Sequence, residues 1–103
     1  MARVTISYPN DQGAHFDLDY YRSKHLPLVR SLMGQSITKI EVHQGIGAPG
    51  EQPAAFLYVT AIYFDNMASL GAAMQENAAQ IGADVANFTD IAPLIQIDAP
   101  VDI

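Results

Sequence analysis

A histidine, an aspartate and a group of aromatic side chains hold most of the chemistry this sequence offers. His25 stands beside Pro27 on an otherwise apolar helical stripe of Leu18, Tyr21, Leu28 and Leu32. An imidazole titrates near neutrality and both takes and gives a proton, as general acid–base catalysis requires. The position equally suits a buried ring hydrogen-bonded to the backbone, because Pro27 frees a carbonyl near Ser23. Asp84 follows Gly82-Ala83 in a stretch poor in charge. A carboxylate beside an imidazole would orient it and raise its basicity. Alternatively, Asp84 or Asn87 would hydrogen-bond free backbone N–H groups as a cap or turn residue. The separation of 59 residues permits contact between His25 and Asp84 without requiring it.

The aromatic stock is Tyr8, Phe16, Tyr20, Tyr21, Tyr58, Tyr63 and Phe88. Tyr8, Tyr21, Tyr63 and Phe88 are the candidates for holding an apolar or aromatic ligand. A phenol hydroxyl can also polarise a carbonyl. Any one of them serves equally well as plain core, as do Met33, Met67 and Met74.

Other chemistries find no support. His15, His25 and His43 lack the paired spacing of metal ligands, and no cysteine is present, so we expect no metal. Neither Gly-x-Gly-x-x-Gly nor Gly-x-x-x-x-Gly-Lys occurs, so we expect no nucleotide cofactor. A Gly-x-Ser-x-Gly nucleophile elbow is missing too. Five Lys and Arg stand against eleven Asp and Glu, for a net charge of −6. That balance opposes binding to nucleic acid or to an anionic membrane. No apolar run reaches the ~18 residues that span a bilayer, and the first residues lack the basic and apolar regions of a signal peptide. The expectation is a soluble, cytoplasmic protein.

These residues need a scaffold, and 103 residues, half of them apolar, suit a single domain over 1–103. Residues 2–8 alternate, with Val4, Ile6 and Tyr8 on one face, which predicts a half-buried strand. Strands are also predicted over 37–46, 55–64 and, more weakly, 91–98, where Pro93 favours a sheet edge. Residues 9–13 and 47–53 read as loops. Apolar spacings of three and four predict helices from Asp17 to about Met33 and from Asp65 or Asn66 to about Ile81. Asp17 caps the first, and Gly34 and Gly82 end the two. Pro27 predicts a kink or break near Ser23–His25. The order is βαββαβ, an α+β ferredoxin-like sandwich with an antiparallel sheet and both helices on one side. Segment 55–64 is apolar on both faces, so the side without helices needs a cover. A second copy of the chain, packed sheet to sheet, is the expected one.

Val-Thr-Ile-Ser-Tyr-Pro (4–9), Phe-Asp-Leu-Asp-Tyr-Tyr (16–21), Lys-His-Leu-Pro-Leu-Val (24–29), Gly45, Tyr63-Phe64-Asp65 and Ala-Asp-Val-Ala-Asn-Phe-Thr-Asp (83–90) form a set of stretches. Together they resemble the EthD family of the dimeric α/β-barrel superfamily. The likeness spans roughly residues 2–98, and the His25/Pro27 and Asn87-Phe88-Thr89-Asp90 groups carry most of it. It implies the ferredoxin-like dimeric barrel and a homodimer. The family takes its name from ethyl tert-butyl ether degradation, where a member accompanies a haem monooxygenase system, and members often bear an oxidoreductase label. Fungal relatives are linked to dehydration of aromatic polyketides, and neighbouring families include isomerases, cyclases and cofactor-free monooxygenases. The resemblance therefore implies cofactor-independent acid–base chemistry on a hydrophobic or aromatic metabolite, or a place in oxidative degradation. Its alternative is a non-catalytic accessory protein that binds such a metabolite for a monooxygenase.

Overall fold

The computed structural model describes residues 1–11 and 13–103; Gln12, in the loop read at 9–13, lies outside the described residues. Four strands form one antiparallel sheet: β1 (Ala2–Pro9), β2 (Ile37–Gln44), β3 (Phe56–Phe64) and β4 (Leu94–Asp98). Their order is β2-β3-β1-β4, which places the two most buried strands in the centre. The fold is the expected ferredoxin-like α+β sandwich. β4 starts immediately after Pro93, on the edge, where a missing N–H costs no ladder bond. Gly45 lies so close to β3 that a Cβ there would collide with the Phe56 carbonyl, and its own N–H donates to Leu57 O at 2.9 Å.

Side-chain alternation decides what each sheet face meets. Ala2, Val4, Ile62 and Phe64 point to one side, where they form a core with Val29 and Met33 of the first helix and Leu70 and Ala73 of the second. The odd-numbered residues of β1, and of β3 from Val59 on, turn to the other side, which no helix covers. Paired Arg3 and Tyr63, Thr5 and Ala61, and Ser7 and Val59 lie there.

The first helix covers residues 18–33 in three consecutive parts: α-helical Leu18–Tyr20, π-helical Tyr21–His25 and α-helical Leu26–Met33. Asp17 caps it by accepting from the Tyr20 N–H at 3.1 Å. Pro27 accounts for the π segment. Its ring would crowd the Ser23 carbonyl in a regular α-helix, and it has no N–H to offer. The turn widens instead, and the Leu26 N–H reaches back five residues to Tyr21 O. This widening corrects the expected stripe. Tyr21, His25, Val29 and Met33 are the buried residues, while Leu28 and Leu32 are only half-buried.

The second helix, Met67–Asp84, is capped by Asn66, which accepts from the Ser69 N–H at 2.8 Å. It does not stop at Gly82. Helix continues to Asp84 and then tightens into a 3-10 turn, Val85–Asn87. A glycine lowers helix stability by only ~1 kcal/mol, and contacts made by Asp84 and Val85 hold this end in place. Asp84 is consequently the last residue of the helix, not a turn residue beyond it.

Candidate functional site

A short backbone clip brings the two ends of the helical layer together. Phe16 and Thr89 form an isolated antiparallel bridge, and the Asp17 N–H donates to Phe88 O at 2.7 Å. The Thr89 hydroxyl donates to His15 O at 2.6 Å, and the Asp90 carboxylate accepts from the His15 N–H at 2.9 Å. The start of the first helix is thereby fixed against the end of the second. Residues 16–21 and 87–90, far apart in sequence, become neighbours.

At that junction His25 meets Asp84. Nδ1 lies 2.9 Å from Asp84 Oδ2, with His25 only 4% exposed. The other carboxylate oxygen is occupied from both sides: the Tyr20 hydroxyl donates to Oδ1 at 2.7 Å and the Asn87 amide donates at 2.9 Å. Burial pushes the Asp84 carboxyl up, but the bonds from Asn87, His25 and Tyr20 outweigh it, and the net shift is downward. Asp84 therefore stays ionised. An ionised carboxylate against Nδ1 requires the proton on Nδ1, so Nε2 of the neutral ring is the acceptor.

The imidazole is fixed on its faces as well. Tyr21 stacks on it with centroids 5.3 Å apart and planes at 18°, and Phe88 packs at 4.6 Å. Tyr21 is anchored by a 2.6 Å hydrogen bond to the Thr60 hydroxyl on β3. Tyr8, Phe16 and Phe88 join in edge-to-face contacts of 5.1–6.0 Å. Burial pushes the phenols of Tyr8 and Tyr21 up, so both stay neutral.

Nε2 makes no hydrogen bond among the described residues. No fully buried side-chain nitrogen or oxygen there lacks a partner, so Nε2 keeps accessible surface. His25 lines a hollow of about 90 Å³ between the sheet and the two helices. Ile6 and Tyr8 form its floor, Tyr21 and His25 one wall, Ile81 the other, and Ile95 its rim. Ile95 is 58% exposed, so the hollow meets solvent beside β4. Its lining is apolar apart from the imidazole and two phenols.

Residues 13–92 match the family model of the EthD domain, which is most of the chain. The chain belongs to the EthD family. An uncharacterised 11.0 kDa protein of the thcB–thcC intergenic region of Rhodococcus erythropolis is 37% identical over 91 residues, covering 85% of this chain and 84% of that protein. A crystal structure of an EthD-like protein from Ralstonia eutropha superposes with a TM-score of 0.85 at 36% identity, covering 94% of this chain and 88% of the other. An EthD-family protein from Bacillus halodurans shares the fold at a TM-score of 0.76 and 21% identity, over 98% and 99% of the two chains.

Within this EthD domain the site residues named from sequence divide. His25 and Asp84 meet, and Tyr8 and Tyr21 line the hollow beside them. Phe88 is fully buried and backs the imidazole rather than facing the hollow. Tyr63 lies elsewhere. Its strand parity turns it to the helix-free face, where its hydroxyl donates to Glu41 at 2.9 Å and Arg3 and Lys39 sit over its ring. It therefore does not line the hollow. The bonds from Tyr20 and Asn87 to Asp84 were not foreseen; a donor pair on an exposed-looking tyrosine and a turn asparagine leaves no periodic signal. Among the described residues no three His, Asp or Glu side chains converge as metal ligands, and no helix is long and apolar enough to cross a membrane.

Proposed function

We propose that this EthD-family protein binds a compact apolar or aromatic molecule in the hollow and moves a proton on it through His25. The carrying observation is the 2.9 Å pairing of Nδ1 with Asp84, which leaves Nε2 unpaired on a residue that lines an apolar hollow. Nε2 takes a proton from a carbon beside a carbonyl and returns it to another position or to a leaving hydroxyl. Isomerisation and dehydration both follow from that step, and neither draws on a redox cofactor. Asp84 stabilises the imidazolium formed in between. Tyr8 and Tyr21, kept neutral by burial, bring no charge to the ligand. The hollow is smaller than the ~150 Å³ cavity known to take benzene, so it admits a small ligand or one end of a larger one.

The protein acts as a homodimer in this reading. The helix-free face carries Val59, Ala61 and Tyr63 on its central strand, and a second copy covers it sheet to sheet. Support comes from the apolar character of β3 on both faces.

The test is hydrogen–deuterium exchange of compact ketones, from acetone to acetophenone, in D2O. The wild type is expected to accelerate exchange next to the carbonyl, and His25→Gln to lose most of it while still binding. Equal exchange rates with the two proteins would end the proposal. Binding with no exchange in either would leave the accessory, metabolite-holding role.

A further inference from the structure

We propose that Tyr20 and Asn87 are positioning residues for His25, acting through the Asp84 carboxylate. They hold Oδ1, so that Oδ2 alone faces the imidazole and the ring keeps Nε2 free of its proton toward the hollow. The inference deepens, and rests on, the reading of His25 as the proton carrier.

A lone carboxylate at the end of a helix is a poor orienting group. Its two oxygens are equivalent, and rotation about one bond swings it toward water. Asp84 sits at such an end, with a side chain 14% exposed. Two donors remove that freedom. The Tyr20 hydroxyl reaches Oδ1 from the first helix at 2.7 Å, and the Asn87 amide reaches it from the 3-10 turn at 2.9 Å. With His25 on Oδ2, the carboxylate is bound by three donors from two helical segments. Each donor favours the ionised form, in keeping with the lowered proton affinity of Asp84.

Tyr20 is itself braced. Its ring stacks against Phe88 at 6.3 Å and 24°, and Phe88 packs on His25. The ring and the hydroxyl thus have separable roles. The titratable groups near the imidazole are Asp84 from the second helix, Tyr21 from its own helix and Tyr8 from β1 across the hollow. The two phenols are neutral, which leaves Asp84 as the group that selects the tautomer.

The experiment is NMR of the full protein with 15N-labelled histidine, at about pH 9, where a histidine ring is ordinarily neutral. The wild type should show Nδ1 protonated, Nε2 unprotonated, and a slowly exchanging Nδ1 proton. Tyr20→Phe keeps the stacked ring and removes only the hydroxyl. Asn87→Ala changes an exposed side chain and provides the test should Tyr20→Phe fail to fold. Each variant should speed solvent exchange of the Nδ1 proton about five-fold, the ratio one ordinary hydrogen bond supports, and should mix the two tautomers. Unchanged 15N shifts and exchange rates in the folded variants would overturn the proposal. Since the readout needs no substrate, failure of ketone exchange with an intact tautomer response would count against proton transfer and not against positioning.

Discussion

Tyr21 and His25 stack ring on ring, at 5.3 Å and 18°, across the π turn of the first helix. Side chains four apart share one face of a helix, one above the other. Tyr21 in turn is tied to Thr60 on β3. The imidazole thus inherits its orientation from the sheet through a phenol, while Asp84 fixes it from the second helix. Both rings stand on the π segment that precedes Pro27.

Pro27→Ala tests that alignment. Alanine restores an N–H able to bond the Ser23 carbonyl, and the segment is then free to close into regular α-helix. We expect unchanged or slightly higher thermal stability together with displacement of His25 from Asp84. A crystal structure or loss of the slowly exchanging Nδ1 proton would report it. Retention of the π turn in the alanine variant would show that Pro27 is not its cause.

Phe88 carries both packing and positioning. It is fully buried and touches the rings of Tyr8, Phe16, Tyr21 and His25. Phe88→Ala should cost about 3–5 kcal/mol, whereas Phe88→Leu should cost less than ~2 kcal/mol because volume is nearly kept. Urea unfolding at neutral pH and fixed protein concentration gives both values. A loss below ~1 kcal/mol for the alanine variant would contradict the tight packing described.

Much of this was legible in the sequence, and the misses share a cause. Alternation in residues 2–8 and the apolar run at 55–64 located the central strands, because burial on a sheet imposes a period of two. Asp17, and Asp65 or Asn66, read as caps for the same local reason. The kink at Pro27 was legible, but not that it would be a π turn, so the buried stripe moved from Leu28 and Leu32 to Val29 and Met33. Gly82 read as a stop because local propensity favours one, yet tertiary bonds to Asp84 carry the helix past it. His25 and Asp84 were recognisable as chemical types. Their meeting depends on the clip between residues 15–17 and 88–90, which no periodicity reports.

The charged end of the helix-free face sets the acid response. Arg3 bonds Asp98 at 2.6 Å and 3.2 Å, and Thr5 and Gln96 also donate to that carboxylate. Chiefly through Arg3, these bonds lower the Asp98 carboxyl from its ordinary 3.8 to about 2. A carboxyl lowered on folding stabilises the native state above its unfolded value, and that contribution fades as pH falls through the folded one. Arg3→Gln should therefore melt below the wild type at pH 7 and pH 5, with the gap narrowing between pH 4 and pH 2. A gap that stays constant over that range would show that the pair is not its source.

Val59→Glu addresses the helix-free face itself. Val59 is half-buried on the central strand, paired with Ser7 on one side and His43 on the other. In a single chain a glutamate there still reaches water, so the fold should persist with a small change in stability. In a sheet-to-sheet dimer the same charge would be buried against a second apolar strand, at a cost of several kcal/mol unless paired. The expected result is a dimer by sedimentation for the wild type and a folded monomer for the variant at the same concentration, with unchanged far-ultraviolet circular dichroism. A variant that remains as dimeric as the wild type would move the subunit contact away from this face. It would also remove the reason given for the apolar character of β3 on both sides.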